Sequence, residues 1–133
     1  MFARDTAHAE RVAMDAVQAR ETELGHDPRD VSALKCGWDI ESRDGKTGRL
    51  RLLEVKGRVE GADTVTVTRN EILHALNKPD DFFLVVVEVS GDHAAAVHYR
   101  QRPFVKEPDF GAVSVNYKLA DLLGNGESAD GPH

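Results

Sequence analysis

The sequence predicts a single α/β domain in which a mixed β-sheet is flanked by helices. Three observations indicate this class. A segment near the N-terminus has apolar residues at helical spacing, several short segments alternate in the strand manner, and residues 82–87 form an apolar run without a polar face. The length of 133 residues suits one domain with its own core. The expected order is helix, three strands, helix, one or two strands and a closing helix.

Residues 6–24 are predicted to form the first helix. Five apolar residues recur there at helical spacing, namely Val12, Ala13, Ala16, Val17 and Leu24. Gly25 follows at the position of a left-handed C-terminal cap, and the Asp-Pro pair at 27–28 indicates a loop.

Three strands are expected next. Residues 38–43 and 50–56 alternate in the strand manner, and the turn-rich segment 44–48 between them predicts a hairpin. The β-branched run at 64–68 predicts a third strand. We expect these strands to form a meander, and the apolar run at 82–87 to complete a mixed sheet as its buried central strand.

A short helix is predicted before the central strand, from residue 69 to residue 76, because Thr68 and Glu71 stand at capping-box spacing. Residues 94–100 predict an edge strand and residues 117–123 a final helix.

The composition is that of a soluble globular domain, with 41% hydrophobic and 30% charged residues. Small polar residues dominate 125–133, so we expect a disordered tail after a domain that spans 1–124. The single cysteine, Cys36, excludes an intrachain disulfide and a multi-cysteine zinc module. The sequence has neither a bilayer-length apolar run nor an apolar signal core, so the expected location is the cytoplasm.

The formal net charge of −6 limits how the chain can bind nucleic acid. Proteins that hold nucleic acid by charge alone are usually basic, so we expect bare DNA to bind weakly. A metal-dependent site is compatible with this negative net charge, because carboxylates bind divalent cations, which can then coordinate phosphate. The sequence lacks an i, i+4 histidine pair, a Gly-x-Ser-x-Gly elbow and a phosphate-binding glycine-rich loop.

The tripeptide Glu54-Val55-Lys56 is the most informative motif. Residues two apart on a strand point to the same face, so Glu54 and Lys56 project together. If the hairpin turn is centred at 46–47, Asp39 stands opposite Glu54 with β-carbons about 5 Å apart. Two carboxylates that close repel each other unless a cation lies between them. The pattern therefore predicts a site for a hard divalent cation, with a lysine beside it.

An alternative assignment of these charged residues is open. Lys56 could simply neutralise Glu54 or Asp39 on a solvated sheet face, since charged pairs on exposed strands are common. The opposed Asp39 and the helix-then-hairpin context favour the metal site.

Three segments resemble the NO VEIN C-terminal domain, a domain of unknown function often found at the end of bacterial helicase-like proteins. They are GWDIES at 37–42, LEVKG at 53–57 and TRNEI at 68–72, and the resemblance runs from about Ala7 to Leu123. An Asp followed 15 residues later by Glu-x-Lys, within an αβββαβ order, also resembles the PD-(D/E)XK nuclease superfamily. The resemblance implies a restriction-endonuclease-like core.

Carried over residue by residue, the resemblance implies metal ligands at Asp39 and Glu54, a backbone carbonyl ligand at Val55 and a catalytic lysine at Lys56. The implied cofactor is Mg²⁺ or Mn²⁺. Trp38 stands where the name of the motif has proline.

Further candidate residues come from the two helices. Such folds often take another carboxylate from the first helix, and Glu10 and Glu21 share one face of it, so either is a candidate. Glu71 is either a cap residue or a member of the site. Asn70 either hydrogen-bonds near the same pocket or has an N-cap role.

Three functions from different classes remain open. The first is a metal-dependent nuclease, with an endonuclease as the candidate type, that acts on nucleic acid. DNA is the favoured substrate, and a helicase or ATPase is the expected fused or associated partner. The second is a non-catalytic nucleic-acid-sensing or docking module on the same fold, and the third is a protein-interaction domain. The complete Asp-Glu-Lys set favours the first, and the net charge favours the other two.

Overall fold

The computed structural model describes residues 2–130, with side chains from residue 6 onward. In this part of the chain the helices are α1 (Phe2–Glu23), α2 (Arg69–Asn77) and α3 (Leu119–Asn125). The strands are β1 (Asp27–Asp30), β2 (Ile40–Arg43), β3 (Leu50–Val59), β4 (Thr64–Thr68), β5 (Phe82–Ser90), β6 (His93–Gln101), β7 (Ser114–Lys118) and β8 (Glu127–Ser128). Across residues 2–130, no helix is both long enough and apolar enough to cross a bilayer.

Six strands form the main sheet in the order β1-β2-β3-β5-β6-β8. β3 and β5 are parallel and the other neighbours are antiparallel, so the sheet is mixed, as predicted. β5 lies inside the sheet. Its residues from Phe82 to Val87 are all buried, because both faces of this run are apolar and neither favours contact with solvent. β6 is close to an edge, since its outer neighbour is the two-residue strand β8.

The predicted meander is wrong, because β4 leaves the main sheet and pairs with β7 in a separate two-stranded ribbon. The place beside β3 belongs to β5, which is apolar on both faces and can be buried on both. β4 has a single apolar face, formed by Val65 and Val67, which suits a layer that covers the sheet. Three strands were not predicted. β1 lies in the expected loop, β8 lies in the expected tail, and β7 takes the residues just before α3, which therefore begins at Leu119.

The two faces of the main sheet carry separate cores. α1 packs over one face, against residues such as Leu53 and Val85. A Cβ at Gly57 would lie 2.4 Å from the carbonyl oxygen of Ala9, so glycine lets α1 approach β3 closely. On the other face, α2, α3 and the ribbon cover a second core that includes Leu84, Val86, Val67, Ile72 and Leu122. Glu54 and Lys56 belong to this second face, because their partners on β5 are Leu84 and Val86.

The expected tail makes contacts with the sheet. Glu127–Ser128 forms β8, and the Asp130 carboxylate accepts a hydrogen bond of 2.7 Å from the backbone of Tyr99. Asp130 also pairs with Arg100 at 3.0 Å. Residues 127–130 thus contact the main sheet in the structure, and residues 131–133 lie outside the described residues.

Candidate functional site

The site begins with the register of the β2–β3 hairpin. Ile40 pairs with Leu53 and Arg43 with Leu50, which is the register that places Asp39 opposite Glu54. The backbone N–H of Asp39 donates to the Leu53 carbonyl at 2.8 Å, so Asp39 is held against β3 just before β2 begins. The Asp39 and Glu54 carboxyl groups are within hydrogen-bonding reach of each other, so both side chains lie on the same side of the sheet.

Beyond this point β3 runs on without β2 beside it and presents an open edge. Asp39 Oδ2 accepts a hydrogen bond of 2.9 Å from the backbone N–H of Val55 at this edge. The N–H and C=O of one strand residue point to the same side, so the Val55 carbonyl faces the same edge as the Asp39 carboxylate. The Asp39 carboxylate and the Val55 backbone carbonyl are thus brought together beside the N-terminal end of β2.

Glu54 is buried beside this carboxylate, with 3% of its surface exposed. Burial, followed by the negative charge of Asp39, raises the pKa of Glu54 well above its ordinary value. Burial also raises the pKa of Asp39, although hydrogen bonds from the Val55 backbone and from Glu54 work in the opposite direction. Without a metal ion, the folded protein therefore favours a proton on this pair of acids.

Lys56 is the cation of the site. Its Nζ lies 3.2 Å from Glu54 Oε2 and 2.9 Å from Glu71 Oε1. Burial by itself lowers the pKa of Lys56, but the charges of Glu54 and Glu71 outweigh it, so the pKa is raised. The ammonium is therefore held charged between two carboxylates.

Glu71 has two roles in the structure. Its Oε1 accepts from the Thr68 backbone N–H at 2.9 Å, and its own N–H donates to the Thr68 hydroxyl at 3.2 Å. This is the predicted capping box, which fixes the start of α2. Burial opposes its charge, but Lys56 and the Thr68 bond outweigh burial and lower the pKa of Glu71. The cap residue and the partner of the lysine are thus one side chain.

These residues form the floor of an open depression of about 480 Å³. Its lining includes Asp39, Glu54 and Lys56 from the hairpin and Glu10 from α1. A second depression, of about 330 Å³, shares Asp39, Glu54 and Glu71 and includes Asn70. The carboxylates are therefore accessible from two sides.

The structure separates the two candidate glutamates of α1. Glu10 lines the larger depression, whereas Glu21 lines neither of the two. Glu21 is fully buried, accepts hydrogen bonds from Arg51 at 3.0 and 3.2 Å, and accepts another from the Tyr99 hydroxyl at 2.9 Å. Eleven residues of helix span about 16 Å, so the two side chains cannot reach the same point even though they share a face.

Some residues of the depression were not predicted. Arg58, Thr64 and Thr66 line it beside the candidate metal ligands. Arg58 continues the Glu54-x-Lys56 alternation by one step on the same strand, so the period of two could have indicated it. The threonines carried no such signal, because the sequence predicted β4 within the main sheet, whereas the structure places it in a separate ribbon with β7.

The charged residues do not form a complete metal cage. Among the residues that the structure describes, no group of three or more His, Cys, Asp or Glu side chains is arranged to hold a metal ion. What the chain offers is a pair of opposed carboxylates at an open strand edge, one of them buried, and a carbonyl beside them.

Comparison with known proteins identifies the family. The family model described as "Protein NO VEIN, C-terminal" matches residues 9–99. The chain belongs to this family. Among solved structures, Archaeoglobus fulgidus Hjc, a Holliday junction resolvase from an archaeal hyperthermophile, is similar with a TM-score of 0.60 and 15% sequence identity, and 91% of each chain is covered. No curated protein matches significantly. The NO VEIN C-terminal domain described here thus has the PD-(D/E)XK nuclease-like fold that the resemblance implied.

Proposed function

We propose that this NO VEIN C-terminal domain is a metal-dependent nuclease domain that acts on the phosphodiester bonds of nucleic acid. The observation that carries the proposal is the buried Glu54 carboxylate, opposed to Asp39 and paired with Lys56, on the floor of an open depression. A buried pair of acids is unfavourable unless a proton or a cation lies between them, and an open depression lets a cation enter.

The donor set fits a hard divalent cation. Asp39 and Glu54 offer carboxylate oxygens, Val55 offers a carbonyl, and Glu10 lines the same depression. Oxygen ligands of this kind suit Mg²⁺ or Mn²⁺, and these metals keep several water molecules when few protein ligands are present. When bound, the cation would polarise a phosphate and lower the pKa of a bound water.

The side chains of the site have separate roles in binding the metal and in stabilising the phosphate. Asp39 is oriented by the Val55 N–H, and Glu54 by its burial and by Lys56. The Lys56 ammonium can orient a water molecule or offset negative charge that develops on the phosphate. Glu71 positions that ammonium, because its own carboxylate is fixed by the cap of α2.

The partner that we propose for the domain is a helicase or ATPase module, fused or associated. Acidic residues outnumber basic ones 23 to 17, so the chain has little charge with which to attract DNA by itself. A tethered module would deliver the substrate by raising its effective concentration. Branched DNA belongs among the substrates to test, because the similar solved structure is a Holliday junction resolvase.

The test combines Mn²⁺ calorimetry with a cleavage assay on single-stranded, duplex and branched substrates. We expect the parent to bind Mn²⁺ and to cleave with Mg²⁺ or Mn²⁺ but not with Ca²⁺, which is larger and prefers more ligands. Lys56→Ala should lose cleavage and keep metal binding, whereas Asp39→Ala and Glu54→Ala should lose both. Failure of the parent to bind any metal would leave Glu54 and Lys56 as an ion pair and remove the nuclease proposal.

A second candidate function rests on the way in which Lys56 is held. Its ammonium contacts two carboxylates, so Lys56 compensates part of their negative charge without a metal. That arrangement and the net charge of −6 favour a non-catalytic module for nucleic-acid sensing or protein docking. Metal binding by the parent without cleavage of any substrate would support this second candidate.

A further inference from the structure

The β4–β7 ribbon differs in character from the rest of this acidic domain. Its ten residues include no Asp or Glu, although the whole chain has a net charge of −6. Its inner side carries Val65, Val67, Val115 and Tyr117, which pack on the second core. Its outer side is polar and consists of Thr64, Thr66, Thr68, Ser114, Asn116 and Lys118.

These outer side chains are arranged as hydrogen-bond donors. The register pairs Thr66 with Asn116 and Thr64 with Lys118 across the ribbon. The Thr66 hydroxyl donates to Asn116 Oδ1 at 3.1 Å, which leaves the amide N–H groups of Asn116 to donate elsewhere. Lys118 is exposed and forms no ion pair with any residue in the described part of the chain.

Two arginines extend this surface at the ends of β4. Arg58 Nε donates to the Thr64 carbonyl at 2.8 Å, and Arg69 Nη1 donates to the Asp109 carbonyl at 3.1 Å. Both guanidinium groups are therefore oriented by backbone oxygens, and among the side chains of residues 6–130 neither has a carboxylate as an ion-pair partner. Each keeps its positive charge for a ligand.

The ribbon is also continuous with the candidate active site. Thr64, Thr66 and Arg58 line the same depression as Asp39 and Glu54. A long anionic polymer with one phosphate at the carboxylates would therefore pass directly onto the outer face of the ribbon. Hydroxyl, amide and ammonium donors are the groups that contact phosphate and sugar in complexes with nucleic acid.

We propose that the outer face of the β4–β7 ribbon binds the sugar-phosphate backbone of the nucleic-acid strand that enters the site. The proposal rests on the proposed function, because it takes nucleic acid as the substrate class. It goes further in assigning a binding surface, with Asn116 and Lys118 as its contact residues, outside the metal site. A protein that docks on this face is the competing occupant, and charge favours the polyanion.

The test compares two exposed Asn-Lys pairs. Asn116→Ala/Lys118→Ala alters the ribbon, and Asn77→Ala/Lys78→Ala removes the same two residue types at the end of α2. Fluorescence anisotropy would use the whole chain with labelled single-stranded DNA, single-stranded RNA, duplex DNA and a four-way junction, without divalent cations. We expect the ribbon variant to bind roughly tenfold more weakly than the control variant at about 50 mM salt, because it has lost a phosphate contact.

The single substitution Lys118→Gln tests the same surface with less risk that the variant fails to fold. Lys118→Gln removes the charge but keeps a flexible polar side chain, and it should lower the slope of log affinity against log salt by about one. Equal affinities of the two double variants, an unchanged slope, or no binding by the parent at low salt would each overturn the proposal. If the parent binds nucleic acid through the ribbon but never cleaves it, the nuclease function is contradicted and the binding surface is supported. If the parent cleaves with metal but the ribbon variant binds as well as the control variant, the nuclease function is supported and the binding surface is contradicted.

Discussion

Glu21 and Glu54 are both buried glutamates, yet their surroundings differ in kind. Glu21 receives two hydrogen bonds from Arg51 and one from the Tyr99 hydroxyl, so its charge is fully compensated. Glu54 faces a second acid, Asp39, and its compensation comes from Lys56, which it shares with Glu71. The difference teaches that burial of an acid does not identify a functional site. A buried acid beside a like-charged acid, at a depression open to solvent, is the better candidate, because a bound cation would relieve the repulsion between the two acids.

The largest expected effect concerns the stability provided by Glu21. Glu21→Ala should lower the free energy of unfolding by about 3–5 kcal/mol, because it leaves the partly buried Arg51 guanidinium and the buried Tyr99 hydroxyl without their partner. Glu23→Ala, an exposed position on the same helix, should change it by no more than about 0.5 kcal/mol. Urea unfolding followed by circular dichroism measures both. A loss below about 1 kcal/mol for Glu21→Ala would mean that the buried pair is not structural.

The second effect concerns metal affinity, which should depend on Glu54 and not on Glu21. Glu54→Gln should weaken Mn²⁺ binding roughly 100-fold or more, because even changes outside the ligand shell cost 10–100-fold. Glu21→Gln should leave Mn²⁺ affinity unchanged, since Glu21 lines neither depression at the site. Isothermal titration of the three proteins separates the two glutamates. Similar affinities of the parent and Glu54→Gln would place the metal elsewhere.

The third effect is the pH dependence of stability in the absence of metal. The pKa of Glu54 is raised above its ordinary value of 4.5, so the folded state binds this proton more tightly than the unfolded state does. The resulting stabilisation is complete below pH 4.5 and is lost as pH rises through the raised pKa. Relative to Glu54→Gln, the parent should therefore lose stability over that window, by at most about 1.4 kcal/mol per pH unit. Parallel curves for the two proteins in urea titrations would contradict this.

The smallest expected effect belongs to Glu71, which combines a cap with a charge. Glu71→Gln keeps an oxygen that can accept from the Thr68 N–H and loses the charge opposite Lys56, so we expect a cost of about 1 kcal/mol. Glu71→Ala should cost a further amount of about 1 kcal/mol, because the side-chain half of the capping box is lost as well. Glu60→Gln at an exposed position is the control. Equal stabilities of Glu71→Gln and Glu71→Ala would show that the cap contributes nothing.

Local spacing alone determined much of this protein. The apolar period predicted α1, the capping-box spacing predicted the start of α2, and the turn at 44–48 predicted the register that opposes Asp39 and Glu54. These features depend on residues close in sequence, whose relative geometry follows from the period of a helix, a strand or a turn. The resemblance to the NO VEIN C-terminal domain depended on segments of the same kind.

The tertiary structure alone decided the features that join distant parts of the chain. It moved β4 out of the main sheet to pair with β7, and it brought Tyr99 to Glu21 across 78 residues of sequence. It also chose Glu10 over Glu21 as the glutamate of α1 at the depression. A helical period shows which residues share a face but not where that face lies over the sheet. That position is set by how closely the elements pack, as Gly57 allows Ala9 to approach β3.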